Sequence, residues 1–221
     1  MTQLECSIAI LAGGQSKRLG RDKALISVHG DGRPLIAHLI ERLHPLSNDL
    51  FVVGPDRPGY RDLAAPLVLD VFPGEGPLGG IATGLRRARH SRVLVVACDL
   101  PFLNVPLIRW MIEQDDARDA IVPAIPGASR QGDGTVLQST HAIYARSMLV
   151  GIETALDHGV RQVSLVLADI DARCLPVESI VRFDPGLRSF FSINTPKDFE
   201  QARQWLQSTT RQQVEEIDTI Y

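Results

Sequence analysis

A length of 221 residues is near the upper size of one domain, and 44% apolar against 22% charged residues is the balance of an ordinary soluble globular protein with one core. The formal charge of −3 and a pI of about 6.1 give no electrostatic reason to expect nucleic acid or an anionic membrane as partner. No apolar run approaches the ~20 residues that span a bilayer, and no N-terminal export pattern is present, so a cytoplasmic protein with no membrane partner is expected.

The first predicted element is a buried strand over Ile8, Ala9, Ile10 and Leu11, broken by Gly13 and Gly14, where the missing side chains let the backbone turn and approach a ligand. Lys17, Arg18, Arg21 and Lys23 follow within a few positions, cations beside unencumbered backbone N–H groups, a chemistry suited to polyphosphate. The spacing is not that of a Walker loop. Leu25 to Val28 reads as a short extended piece turning at His29-Gly30. Pro34 to Leu43 is a helix with Leu35, Ile36, Leu39, Ile40 and Leu43 on one face. Leu50 to Val53 is a strand, Gly54 to Gly59 is turn chemistry, and Leu67 to Leu69 is a short strand closed by Asp70. Gly79 to His90 is a helix with arginines near its end, where cations suit the dipole. Val93 to Ala97 is wholly apolar, as a strand covered on both faces should be, and leads into Cys98-Asp99. Asn104 caps a helix running through Gln114.

The second half is less legible. Ile121-Val122 and His141 to Tyr144 read as strands, separated by the glycine- and proline-punctuated Pro126 to Gly134. Ser147 is a candidate cap for a helix to Asp157 that Gly159 ends, and Val163 to Leu167 suits either helix or strand. Thr195 and Pro196 start a last helix through Phe199, Ala202 and Trp205. Residues 1–207 are expected to form one domain, with 208–221 a polar, peripheral tail.

Alternating strands and helices at this spacing predict an α/β fold with a mostly parallel sheet and right-handed crossovers. Ligands bind beyond the carboxyl ends of such strands. Gly13, Asp70 and Asp99 each follow a strand candidate, so all three should converge on that edge.

Gly74 to Gly79 literally satisfies Gly-x-Gly-x-x-Gly, with Asp99 at the distance of a ribose-binding acid. Against a dinucleotide oxidoreductase stand the intervening Phe72-Pro73, Pro77 where the helix should open, and the unexplained basic loop. Asp99 alone is open to two readings, a helix cap or a magnesium ligand, and Asp70 alone reads as a turn acid. Cys6, Cys98 and Cys174 are odd in number and set in apolar surroundings, which suits reduced packing thiols rather than disulfides or zinc. The histidines show no ligand spacing, and Trp110 and Trp205 suit a core.

Leu11 to Ala24, with Gly76 to Ile81, Cys98 to Leu103 and Ile193 to Asp198 following in order, resembles the molybdenum cofactor guanylyltransferase family over about residues 6 to 205. The resemblance implies a single-domain Rossmann-like sandwich of the nucleotide-diphosphosugar-transferase kind. It implies magnesium-dependent transfer of GMP from GTP to a molybdopterin-type acceptor, with pyrophosphate released. Molybdoenzymes or cofactor-insertion proteins are the implied protein partners. Matching residue by residue, Leu11, Ala12, Gly13, Gly14, Lys23, Asp70 and Asp99 would bind the nucleotide, and Arg18 and Lys23 would hold the triphosphate and departing pyrophosphate. Asp99 would hold magnesium, and Asn194 would face the acceptor or metal. The Gly74 to Gly79 segment would wall the nucleotide pocket. Two departures stand out: Gly54 where relatives carry asparagine, and Gln138 to Ala142, including Ser139, in place of a proline-containing segment. The alternatives are a cytidylyltransferase, another small phosphorylated acceptor, or a non-catalytic cofactor-binding chaperone on the same fold.

Overall fold

Strand β1 (Ser7–Leu11) lies inside an eight-stranded sheet flanked by helices on both faces. The computed structural model describes residues 4–13, 22–114, 117–127 and 134–218, with side chains to residue 208. Beside β1 lie β2 (Leu50–Gly54) and then β3 (Leu67–Leu69) on one side and β4 (Arg92–Ala97) on the other, all parallel. Beyond β4 come β7 (His141–Ala145), antiparallel, and β5 (Ala120–Pro126), which runs with β4 and carries β8 (Ala172–Leu175) parallel to it. A short β6 (Thr135–Leu137) returns antiparallel on β5. The sheet is therefore mostly parallel, as the alternation of elements predicts, with β6 and β7 reversed.

The apolar runs are explained by two cores. Ile8, Ile10, Leu94 and Val96 point into one, against α1 (Leu35–Leu43) and α4 (Val105–Ile112). Ala9, Val93 and Val95 point into the other, against α3 (Gly76–Arg87) and α5 (Leu149–Asp157). A strand alternates its side chains between faces, so one covered on both has no polar position to offer. Helix α3 seats closely on β1: a Cβ on Gly84 would lie 3.0 Å from Ala9 Cβ, and one on Gly80 3.2 Å from Leu11 Cδ1.

Several local expectations change. Helix α3 begins at Gly76, with Pro77 in its first turn, where the ring costs no intrahelical bond; Pro77 is a helix starter, not an obstacle. Pro58 does the same for the short α2 (Pro58–Arg61) inside the expected turn. The stretch expected to extend from Leu25 instead opens with a 3-10 turn, Lys23–Leu25. Asn104 caps α4 through Leu107 N–H as expected, whereas Ser147 caps nothing, because a 3-10 turn over Arg146–Met148 runs into α5. Val163–Ala168 is helix α6, and α7 (Val177–Ile180) follows β8. Cys6 and Cys98 are buried, but Cys174 is exposed on β8 and is no packing residue. The last helix, α8, spans Pro196–Asp218. No helix among the described residues is long and apolar enough to cross a membrane.

Candidate functional site

The carboxyl ends of the parallel strands are tied to one another through the backbone. Ala12 N–H donates to Val53 O (2.8 Å), Cys98 N–H to Leu11 O (3.0 Å) and Asp70 N–H to Gly54 O (3.2 Å). The chain moves outward from β1 to β2 and β3, then returns to β4 on the other flank of β1, so the crevice between β1 and β4 is the topological switch point of the sheet. Leu11, Ala12 and Gly13 leave β1 there, and Asp99 leaves β4. A Cβ on Gly13 would sit 3.9 Å from Asp70 Oδ2, so the expected convergence of Gly13, Asp70 and Asp99 on one edge is what the strand order produces. Gly14, Lys17, Arg18 and Arg21 lie outside the described residues.

Lys23 joins sites far apart in sequence. Its Nζ lies 2.9 Å from Asp99 Oδ2 and 2.5 Å from Asn194 Oδ1. The Lys23 and Asp99 side chains are only 20% and 16% exposed, which makes this ion pair less screened than a surface pair. Asn194 is brought in by the backbone of its neighbour, since Ile193 N–H donates to Asp99 O (3.0 Å). Its amide nitrogen donates to Ser192 Oγ (2.9 Å), which aims the carbonyl at the lysine. The start of α8 is capped by other groups. Asp198 Oδ2 accepts from Asn194 and Thr195 N–H (2.9 and 2.7 Å), and Asp198 N–H donates to Thr195 Oγ1 (3.2 Å), a reciprocal box that does not use the Asn194 side chain.

Asp70 divides its two oxygens. Oδ1 accepts from the Thr83 hydroxyl (2.8 Å) and Phe72 N–H (3.0 Å), fixing the turn into α3, while Oδ2 faces Gly13. Asp70 is thus a turn residue by one oxygen, and its other oxygen lies toward Gly13.

Sequence reading assigns no role to Asp22, Arg57 or Tyr60, yet they form the polar cluster next to Lys23. The Asp22 carboxylate accepts from Ala24 N–H (3.1 Å), the Tyr60 hydroxyl (2.9 Å) and the Arg57 guanidinium. Tyr60 Oη also lies 2.9 Å from Ala12 O. Burial, then the Asp22 carboxylate, push the Tyr60 phenol above its usual value, so it stays a hydroxyl donor. The signal for Asp22 was its place beside Lys23; Tyr60 had none, because Pro58 and Gly59 around it read as turn punctuation.

Of the two departures, the one at Gly54 has a local explanation, and nothing in the structure explains the one at Gln138 to Ala142. A Cβ at Gly54 would lie 3.3 Å from the Tyr60 ring and 3.5 Å from Ala12, so the Tyr60 ring fills the space that a larger residue would need. Ser139 and Thr140 use their carbonyls locally, accepting from the Tyr144 hydroxyl (2.7 Å) and Ala97 N–H (2.9 Å).

Comparison with known proteins agrees with this fold. Residues 8–164 match the MobA-like NTP transferase domain family. The molybdenum cofactor guanylyltransferase of Syntrophotalea carbinolica is 33% identical over 200 residues, 89% of this chain and 90% of that protein. That of Pseudomonas fluorescens is 32% identical over 210 residues, 87% of this chain and 90% of the relative. A crystal structure of molybdopterin-guanine dinucleotide biosynthesis protein A from Archaeoglobus fulgidus superposes with a TM-score of 0.77 at 26% identity, covering 91% of this chain and 99% of the other. The 2-C-methyl-D-erythritol 4-phosphate cytidylyltransferase of Thermus thermophilus, 20% identical with a TM-score of 0.69 over 93% of this chain and 100% of its own, shares the fold. By sequence over most of its length and by fold, this chain belongs to the molybdenum cofactor guanylyltransferases of the MobA-like family, and is a nucleotidyltransferase.

Proposed function

We propose that this enzyme transfers GMP from GTP to the terminal phosphate of a molybdopterin-type acceptor. An acceptor oxygen attacks the α-phosphorus, the bond from that phosphorus to the bridging oxygen breaks, and pyrophosphate leaves with the electron pair. No protein nucleophile is needed, so the chain's work is positioning and charge neutralisation. The observation that carries the reading is the Lys23 ammonium held between Asp99 and Asn194 at the switch point. Leu11, Ala12, Gly13 and Gly14 admit the nucleotide to close backbone contact, with Asp70 as the facing wall. Lys23 and Arg18 take the phosphates, and Asn194 faces the acceptor.

Among the described residues no group of three or more His, Cys, Asp and Glu side chains converges to hold a metal. Magnesium does not require one, since it takes one or two carboxylates beside substrate phosphates. Asp99 Oδ2 and Asn194 Oδ1, two hard oxygens already converging on one cation, fit that habit. Asp99 is the residue that would hold it, and the ion when bound would offset phosphate charge.

Residues 1–207 form the transferase unit in this reading, with 208–221 peripheral to it. The three free cysteines suit the reducing cytoplasm, where molybdoenzymes or cofactor-insertion proteins would receive the product. Base choice is assigned to guanine because the Leu11 to Gly14 stretch resembles that of the guanylyl members, and Gly13, with no side chain, leaves room for the larger purine. The test is pyrophosphate release with magnesium and acceptor: GTP should give the higher specificity constant, and a higher value for CTP would overturn the guanylyl assignment.

A further inference from the structure

Tyr60 is 1% exposed, and its single hydroxyl touches chain on both sides of the basic loop: Ala12 O before it at 2.9 Å and the Asp22 carboxylate after it at 2.9 and 3.0 Å. One hydroxyl proton serves two acceptors, and the Arg57 guanidinium supplies the charge that lets the Asp22 carboxylate lie in so enclosed a place. Asp22 in turn accepts from Ala24 N–H and so fixes the turn that carries Lys23. A lysine has a long flexible stem, and holding its ammonium at one point costs rotamer freedom unless the backbone beneath it is already set. Gly54 belongs to the same arrangement, since its missing side chain is what lets the Tyr60 ring lie against Ala12.

We infer that Tyr60, acting through Asp22 and supported by Arg57, is a positioning residue for Lys23. It sets the place from which the lysine reaches phosphate, without touching substrate itself. The inference rests on the role given to Lys23 above. It predicts coupling: the hydroxyl of Tyr60 matters to phosphate binding only while Lys23 is present.

The test is calorimetric titration of inorganic pyrophosphate, and of guanosine, into wild type, Tyr60→Phe, Lys23→Ala and the double variant. Tyr60→Phe should weaken pyrophosphate about tenfold in the Lys23 background and less than about twofold in the Lys23→Ala background, the non-additivity of residues acting as one unit. Guanosine affinity should hold. Arg57→Gln, at a half-exposed side chain where folding is safe, should give a smaller loss with the same dependence on Lys23. An equal loss in both backgrounds, or a parallel loss of guanosine, would reduce Tyr60 to a packing residue and overturn the inference while leaving Lys23 its role. A Lys23→Ala variant that binds pyrophosphate like wild type would overturn both.

Discussion

The two edges of the sheet each hold a carboxylate at a strand end, and they are built in opposite ways. At the amino edge, Asp49 is 2% exposed and accepts from the Ser7 hydroxyl (2.7 Å), Arg89 N–H (2.8 Å) and Arg89 Nε–H (2.9 Å), while its own N–H donates to Ser47 Oγ (3.0 Å). Burial pushes its carboxyl up, but the Ser7 hydroxyl and Arg89 more than offset this and leave it below the usual carboxylate range. At the carboxyl edge, the Asp99 carboxylate is bonded among the described residues by the Lys23 ammonium alone. A carboxylate whose lone pairs are all taken locally can only hold the fold together. One held by a single flexible cation can exchange that partner for a ligand.

The sharpest way to break this contrast is to neutralise each acid in turn. Asp99→Asn should cost at least the ~10²-fold in turnover typical of losing one electrostatic contributor, with little change in melting temperature. Asp49→Asn should do the reverse. It should lose about 2–3 kcal/mol of stability, the scale of hydrogen bonds to a charged group, and keep its turnover in the folded fraction at low temperature. Steady-state rates at saturating magnesium beside denaturant melts would decide it, and unchanged turnover in Asp99→Asn would remove that residue from the site.

Next in size is the cation that marks the exchangeable edge. Lys23→Ala and Arg18→Ala should weaken GTP by roughly 10- to 100-fold, the range of one charge-assisted hydrogen bond, while guanosine binds almost as before. Equal losses for both ligands in a titration would place these cations away from the phosphates.

The exchangeable edge was the part legible in the sequence, and for a physical reason. Asp99 and Asp70 stand at the ends of apolar strand runs, so those runs point to them. Lys23 and Asn194 stand in or beside glycine- and proline-marked turns. The amino-edge network was invisible, because Ser7 opens β1 while Asp49 and Arg89 come from two separate connections, and their meeting depends on strand order. The reversed direction of β7, and the strands β6 and β8 themselves, were illegible for a related reason. Their runs are short, and β8, Ala172–Leu175, includes an exposed Cys174 and an arginine, so no alternation announces it. Tyr60 escaped because its partners, the Ala12 carbonyl and the Asp22 carboxylate, lie 48 and 38 residues away.

A third probe asks whether the buried start of β7 is as well satisfied as the amino edge. His141, which opens β7, is 1% exposed, packs its ring 4.8 Å from that of Phe190, and makes no hydrogen bond from either ring nitrogen among the described residues. Burial pushes its pKa down from 6.5 to about 4. The unfolded chain therefore binds more protons than the folded one between those values, so the stability is fully present above pH 6.5 and is lost as pH falls toward 4. Denaturant melts should show about 2 kcal/mol lost between pH 7 and pH 5, and His141→Leu should flatten that slope. An unchanged slope would mean that another group sets the acid limb.

The smallest expected effect tests the finest part of the contrast, whether Asn194 belongs to the exchangeable edge or to its scaffold. Its backbone N–H is spent on the Asp198 cap, but its side chain bridges Ser192 and Lys23. Because the cap at α8 is made by Thr195 and Asp198, Asn194→Ala removes no capping bond and should leave the melting temperature and GTP affinity nearly unchanged. What it removes is the carbonyl that shares the Lys23 ammonium with Asp99, so acceptor-dependent pyrophosphate release should fall, by about tenfold for one hydrogen bond of ordinary strength. A scaffold residue would show the opposite pair of results. A variant that loses about 1 kcal/mol of stability yet turns over normally at low temperature would assign Asn194 to the turn and leave Asp99 and Lys23 as the whole of the exchangeable pair.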